Sequence, residues 1–164
     1  MSGRTKVGWL VRAGTIAGVY AAVTGSLGEL GYGPVQVRVS EALTVLPYLD
    51  PLAGTLGLVL GVFVANLLGP YGLVDVVLGT LLSLLAALLT ARMPRAWLAP
   101  LPPVVVNALG VPLYLQFLAG VPYWPTVGTV FLGQLVACYG IGYPLLLALQ
   151  ARPEILGWPS RRPR

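Results

Sequence analysis

Long apolar runs, separated by short clusters of glycine and proline, make up most of this chain. The uncharged stretches cover residues 13–28, 51–74, 76–91 and 96–151. A helix needs about 17–25 apolar residues to cross a bilayer. The last stretch therefore has room for two spans, one before and one after the turn at 120–125. The pattern predicts six helices, at about 8–28, 39–48, 52–68, 73–91, 103–119 and 126–149, followed by a basic tail at 150–164.

The predicted helix at 39–48 is too short to span a bilayer upright. We therefore expect it to be a half-span or to lean against its neighbours.

Composition assigns the chain to the membrane proteins. Of the 164 residues, 57% are hydrophobic and only 9% are charged, whereas a soluble domain carries about 25% charged residues. These charges cannot make an ordinary water-facing surface, which excludes a soluble globule, a disordered chain and, despite the net charge of +5, a nucleic-acid binder. We predict an all-α integral membrane protein with one membrane domain, 1–164, and six transmembrane helices.

The distribution of basic residues predicts the orientation of these helices. Cytoplasmic loops carry an excess of Lys and Arg, and six helices with a cytoplasmic N-terminus place nine of the ten basic residues inside, with only Arg38 outside. A count of five or seven helices would separate the Arg92/Arg95 pair from the C-terminal cluster. We therefore expect both termini in the cytoplasm and a multi-pass protein of the prokaryotic plasma membrane.

The chain shows no signature of an enzyme or of a resident cofactor. It has no His and a single Cys, Cys138, which excludes a disulfide framework and gives no support to a zinc or haem site. It also lacks a phosphate-binding loop of the kind that nucleotide hydrolases use, and no nucleophile stands beside a base. We expect no catalytic residue, no metal and no cofactor.

The first helix carries a stripe of small residues, Ala13, Ala17 and Ala21, with Gly14 and Gly18 beside it. Small residues four apart let a second helix approach closely in a membrane. The stripe indicates either packing within the bundle or a surface for a partner protein, and the residues alone leave both open.

Polar side chains inside the apolar runs are the candidates for ligand binding. Four amides, Asn66, Asn107, Gln116 and Gln134, lie in such runs, with Tyr114, Tyr139 and Trp124 nearby. They serve either as helix–helix hydrogen bonds or as the lining of a shared polar cavity, which would suit a flat, neutral heterocycle. Arg38 and Glu41 are three residues apart and can pair on one helix face. A ligand role for Arg38, Glu41 or Asp75 stays open.

Several segments, in order along residues 10–149, resemble the QueT family. The most specific is Tyr32–Pro47, YGPVQVRVSEALTVLP. The others are Ala65–Gly69, Leu73–Thr80, Pro102–Leu109, Gly133–Tyr139 and Gly142–Leu145.

The resemblance implies a function in transport. QueT proteins are substrate-binding (S) components of energy-coupling factor (ECF) transporters, assigned to the uptake of queuosine precursors such as queuine or a related 7-deazaguanine. Such components have six helices with both ends in the cytoplasm. They bind a vitamin-like solute and dock on an ECF module of two ATPases and a transmembrane scaffold protein. Ala13, Ala17 and Ala21 match the family's docking motif.

The resemblance also suggests roles for individual side chains. We hypothesise that Asn66, Asn107 and Gln134 read the edge of the base, and that Tyr114 and Trp124 supply a stacking face. Asp75 or Glu41 would hold a cationic aminomethyl group, while Gln36 and Arg38 would close the site. Gln134 stands where the family pattern commonly has an acid.

Two other functions remain as alternatives. One is a stand-alone secondary carrier for a small heterocycle, driven by protons through Asp75 and Glu41. The other is a membrane scaffold that transports nothing.

Overall fold

The computed structural model describes residues 3–27 and 38–152, with side chains from Val7 onward. Within these ranges the chain is helical and has no strand, so the prediction of an all-α protein is confirmed for them. Gln36 and the tail beyond residue 152 lie outside the described residues. The elements are α1 (Gly3–Leu27), a 3-10 helix (Val39–Tyr48), α2 (Pro51–Leu67), α3 (Gly72–Ala91), a 3-10 turn (Ala96–Leu98), α4 (Leu101–Ala119), α5 (Tyr123–Gln134), a π-helical segment (Leu135–Gly142) and α6 (Tyr143–Ala151).

Among the residues that the structure describes, four helical segments are long and apolar enough to cross a membrane. They are Val7–Leu27, Gly72–Ala91, Ala96–Ala119 and Tyr123–Ala151. α2 is also apolar but has 17 residues, which at 1.5 Å per residue gives about 26 Å against a hydrocarbon core of about 30 Å. These lengths agree with a membrane-embedded, multi-pass protein; which side of the membrane holds the termini stays a prediction.

The short element at 39–48 is a 3-10 helix in the interior of the bundle. Its ten residues extend about 20 Å, because a 3-10 helix rises about 2.0 Å per residue where an α-helix rises 1.5 Å. Eight of the ten are buried, so neighbouring helices cover it on most sides. A 3-10 helix longer than about four residues is uncommon. Here the surrounding helices stabilise this conformation, in which the ten residues extend further along the helix axis than they would as an α-helix.

α1 and α2 are parallel and pack backbone against backbone. A Cβ atom on Gly57 would lie 2.6 Å from the carbonyl oxygen of Ala13, and one on Gly61 would lie 3.0 Å from that of Ala17. The contacts advance in the same direction along both helices, so the chain has to return between them. The 3-10 helix makes this return.

An ion pair fixes the far end of the 3-10 helix, where the chain turns into α2. The Nε atom of Arg12 donates to Oδ2 of Asp50 at 2.9 Å, and Nη2 lies 2.9 Å from the same oxygen. The other oxygen, Oδ1, accepts from the backbone N–H of Ala53 at 3.0 Å and caps α2. One carboxylate thus ties α1 to the first turn of α2.

α5, the π-helical segment and α6 form one continuous helical segment, Tyr123–Ala151, whereas α3 and α4 run in opposite directions. Asp75 at the start of α3 bonds Tyr114 near the end of α4, and Leu82 contacts the position of Gly110, so these two helices are antiparallel. The start of the 3-10 helix, the α2–α3 turn and the end of α4 therefore lie at the same end of the bundle. Among the described basic residues, only Arg38 lies at this end. The others lie in segments at the opposite end: Arg4, Lys6, Arg12, Arg92, Arg95 and Arg152.

The close approach of α1 and α2 predicts opposite effects of one substitution at two glycines. Gly57→Ala places a methyl group 2.6 Å from a backbone oxygen, and the overpacking should destabilise the fold by about 1–3 kcal/mol. Gly14→Ala meets no atom within 4 Å and should be neutral or stabilise by up to about 1 kcal/mol, through helix propensity. Denaturant unfolding of the purified protein in detergent measures both. Equal destabilisation by the two variants would contradict this account of the packing.

Candidate functional site

The centre of the candidate site is the carboxylate of Glu41, which is only 2% exposed. Its Oε1 accepts a hydrogen bond from the hydroxyl of Tyr20 at 2.6 Å, and its Oε2 accepts one from Nδ2 of Asn107 at 3.2 Å. The amide of Gln134 is a further hydrogen-bonding neighbour. Side chains from α1, α4 and α5 thus converge on one acid of the 3-10 helix. A carboxylate buried among apolar helices requires such partners.

A group of small polar side chains supports Gln134 from the far side. The Sγ of Cys138 donates to Oε1 of Gln134 at 3.4 Å, which leaves the NH₂ group of the amide for Glu41. The hydroxyl of Thr44 lies 3.5 Å from the same sulfur. The π-helical segment can lie this close because Gly142 has no side chain: a Cβ atom there would be 2.8 Å from the carbonyl oxygen of Ala42.

A second buried acid, Asp75, lies at the start of α3 and is paired differently. Its Oδ1 accepts from the hydroxyl of Tyr114 at 2.5 Å, and its backbone oxygen accepts from Nδ2 of Asn66 at 3.0 Å. Gly79 leaves the necessary room, since a Cβ atom there would lie 2.7 Å from Nδ2 of Asn66 and 2.9 Å from Oδ1 of Asp75. The turn between α2 and α3 brings this acid and this amide together.

Arg38 links the two acids electrostatically. Its Nη2 lies 4.0 Å from Oδ2 of Asp75, and its charge also acts on Glu41 and Tyr20. The guanidinium is mostly buried and stands at the start of the 3-10 helix. The site therefore combines two carboxylic acids and one guanidinium group within an otherwise apolar bundle. Charge interactions are strong in such surroundings.

Most of the predicted site residues come together here. They are Arg38, Glu41, Asn66, Asp75, Asn107, Tyr114 and Gln134. Trp124 does not join them: it is 74% exposed, and its ring contacts that of the neighbouring Tyr123 at a centroid distance of 5.1 Å. The amide of Gln116 also points elsewhere, donating to the carbonyl oxygen of Leu113 on its own helix. Gln36 lies outside the described residues.

Sequence reasoning missed Tyr20, although it is a direct partner of Glu41. A signal for it does exist. Tyr20 is fully buried, on the face of α1 that also carries Ala13, Ile16 and Thr24. A tyrosine on a buried helix face needs a partner for its hydroxyl. Of the acids that the structure describes, Glu41 is the one nearest to Tyr20 along the chain.

The small-residue stripe of α1 divides between two surroundings. Ala13 is buried, and Ala13 and Ala17 contact the positions of Gly57 and Gly61 on α2. Ala17 and Ala21 are half-buried, whereas Gly14 and Gly18 are exposed, with no atom within 4 Å of a Cβ built on them. Ala13 thus packs fully within the bundle, and Ala17 and Ala21 are partly covered. The adjoining glycines form an exposed face.

The described residues offer no metal centre, since no three of their His, Cys, Asp and Glu side chains come together. What the site offers is hydrogen bonding: carboxylate acceptors, amides that both donate and accept, and one guanidinium donor. Such a set can recognise a small polar molecule.

Comparison with known proteins finds one family. A family model described as QueT transporter matches residues 10–151, a range that includes every side chain of the site. No curated protein and no solved structure matches the chain.

The pairing of Tyr20 with Glu41 leads to a test of stability. Tyr20→Phe removes a donor from a buried carboxylate and should destabilise the protein by about 1–3 kcal/mol. Tyr123→Phe is the matched control, because the Tyr123 hydroxyl makes an exposed bond to the carbonyl oxygen of Leu109; its loss should matter less. Denaturant unfolding in detergent compares the two. A Tyr20→Phe variant as stable as the control would show that Glu41 does not depend on this bond.

Proposed function

This chain belongs to the QueT transporter family, and we propose that it is the substrate-binding subunit of an energy-coupling factor importer that takes up a queuosine precursor of the 7-deazaguanine class. The observation that carries the proposal is the polar cluster around Glu41 and Asp75, which lies at one end of an otherwise apolar bundle. Hydrogen-bonding groups are expensive to bury in a membrane. A cluster of this size is better explained by ligand recognition than by helix packing.

The chemistry of the cluster suits a flat nitrogen heterocycle. A base edge presents donors and acceptors side by side, and amides or carboxylates read such a pattern through paired hydrogen bonds. Asn107 and Gln134 are amides in contact with Glu41, and Asn66 is an amide in contact with Asp75. These are the groups we propose to read the base.

The aromatic contribution is expected mainly from Tyr114. Its ring lies beside Asp75, where a bound base could stack on it. Trp124 is exposed at the same end of the bundle, and it would have to turn inward to contact the ligand. Arg38, and with it Gln36 of the preceding segment, would close the site over the base, while an acid would hold a cationic aminomethyl group where the ligand has one.

Energy for uptake would come from partner ATPases, because the chain has no phosphate-binding loop. We propose that α1 docks on the transmembrane scaffold protein. Ala17 and Ala21 would contribute from the side of the stripe, and Gly14 and Gly18 offer the free face on which a second helix can approach closely. Ala13 is buried against α2 and would support the helix from within.

The proposed site predicts a selective loss of affinity. Asn107→Ala or Gln134→Ala removes one hydrogen-bonding partner and should weaken 7-deazaguanine binding by roughly 5- to 150-fold, the equivalent of about 1–3 kcal/mol. Gln134→Glu should change the preference between queuine and its smaller precursors. Isothermal titration calorimetry measures each affinity. Gln116→Ala is the control, since that amide bonds only its own helix among the described contacts; an equal loss there would remove Asn107 and Gln134 from the site.

The proposed mechanism of uptake is tested by reconstitution in liposomes. Accumulation of the deazaguanine should require ATP and the complete ECF module, and Gly18→Leu should abolish both co-purification with the scaffold protein and transport. The isolated Gly18→Leu subunit should still bind ligand. Val19→Leu, at a position that already carries a large exposed side chain, is the control. Accumulation by this chain alone along a proton gradient would instead favour a secondary carrier.

A further inference from the structure

Two acceptor atoms, on neighbouring side chains of the site, are buried without a hydrogen-bond donor. They are Oδ2 of Asp75 and Oδ1 of Asn66, on residues that are each only 1% exposed. Buried polar atoms in folded proteins are nearly always paired. Two such acceptors on neighbouring side chains indicate that a donor group from outside the described residues belongs there.

The hydrogen bonds around Asn66 and Asp75 determine which of their side-chain atoms lack a hydrogen-bond partner. Nδ2 of Asn66 donates to the backbone oxygen of Asp75 at 3.0 Å, and the reversed amide would place two oxygens against each other, so Oδ1 is the free end. Oδ1 of Asp75 accepts from Tyr114. Its Oδ2 lies 4.0 Å from Nη2 of Arg38, which is an ion-pair distance and too long for a hydrogen bond.

The two side chains are close neighbours. A single point, the Cβ position of Gly79, lies within 3 Å of both: 2.7 Å from Nδ2 of Asn66 and 2.9 Å from Oδ1 of Asp75. Hydrogen bonds hold both side chains, Asp75 to the hydroxyl of Tyr114 and Asn66 to the backbone oxygen of Asp75, and limit their freedom. A ligand would therefore meet two acceptors in a preset arrangement, which lowers the entropic cost of binding.

The two acids of the site are thus not equivalent. Both oxygens of Glu41 accept hydrogen bonds from protein side chains, so this carboxylate joins α1, α4 and the 3-10 helix. Asp75 accepts a protein hydrogen bond on only one of its two oxygens, while the other has the ion-pair contact with Arg38 but no hydrogen bond. Of the two acids, Asp75 is the one with an acceptor to spare.

We infer, on the basis of the proposed function, that Oδ2 of Asp75 and Oδ1 of Asn66 bind a 2-amino-4-oxo heterocycle. They would accept from its two adjacent donors, the ring N–H and the exocyclic amino group. On such a base the carbonyl oxygen adjoins the ring N–H. Arg38, beside Asp75, has a guanidinium with five N–H donors that can meet this oxygen. Along the base edge, the carbonyl oxygen would then meet Arg38, the ring N–H would meet Asp75, and the amino group would meet Asn66. The subsite selects bases that carry the amino group over those that lack it.

The test compares three ligands on the purified full chain in detergent by isothermal titration calorimetry. They are 7-deazaguanine, 7-deazahypoxanthine, which lacks the amino group, and aminomethyl-7-deazaguanine, which adds an ammonium group. The wild-type protein should bind 7-deazaguanine about 10- to 150-fold more tightly than 7-deazahypoxanthine. Asp75→Asn should lose a similar factor for 7-deazaguanine, and Asn66→Ala should reduce the discrimination between the first two ligands.

Asp50→Asn is the matched control, because it neutralises an acid at the opposite end of the bundle and should leave all three affinities unchanged. Asp75→Asn keeps an oxygen that can accept from Tyr114, so the fold should persist, and thermal unfolding without ligand checks this. Should that variant not fold, the wild-type comparison and Asn66→Ala still decide the question.

Each other outcome overturns the inference. If Asp75→Asn weakens only aminomethyl-7-deazaguanine, the subsite holds an ammonium group and not the base edge. If wild type does not discriminate between 7-deazaguanine and 7-deazahypoxanthine, the amino group is not read at this position. If wild type binds none of the three, the proposed function itself fails and the inference falls with it.

Discussion

The burial of the Glu41 carboxylate is the constraint on which the rest of the structure depends. In an apolar bundle, a carboxylate is tolerated only where donors surround it, and the donors come from Tyr20 on α1 and Asn107 on α4. Gln134, at the end of α5, adds a third contact. These bonds require three helices to meet at one depth around the 3-10 helix. The same requirement brings polar groups together inside an otherwise apolar part of the bundle.

The unusual 3-10 helix follows from the direction of its neighbours. Because α1 and α2 run parallel, the chain must return between them, and the ten residues Val39–Tyr48 do so in a conformation that rises more per residue than an α-helix. Its packing depends on missing side chains: a Cβ atom on Gly54 would lie 2.7 Å from the backbone of Leu46, and one on Gly142 would lie 2.8 Å from that of Ala42. Membrane helices associate through such close packing, since lipid and protein interior are equally apolar.

The polar groups around the two acids of the site are paired differently. Both oxygens of Glu41 accept hydrogen bonds and join the helices, whereas Asp75 and Asn66 each keep an acceptor without a hydrogen bond. Arg38 places a positive charge beside both acids. In the proposed function, a ligand would bond to the incompletely paired groups of Asp75 and Asn66, while the bonds of Glu41 would hold the helices together.

The sequence by itself determined the class of the protein, its helical character and its family. Too few charges to cover a water-facing surface leave only the membrane, and apolar runs of this length leave only helices. The sequence also showed which polar residues lie inside those runs, but it did not show which way they face. Gln116 and Gln134 are both amides in apolar helices, yet only Gln134 reaches Glu41. Ala13 and Gly14 are adjacent small residues, yet one packs on α2 and the other is free. In a soluble protein, alternation of polar and apolar residues marks the buried face of a helix. In a membrane that contrast is lost, because leucine suits lipid and core equally well, and only the tertiary packing decided which side chains meet.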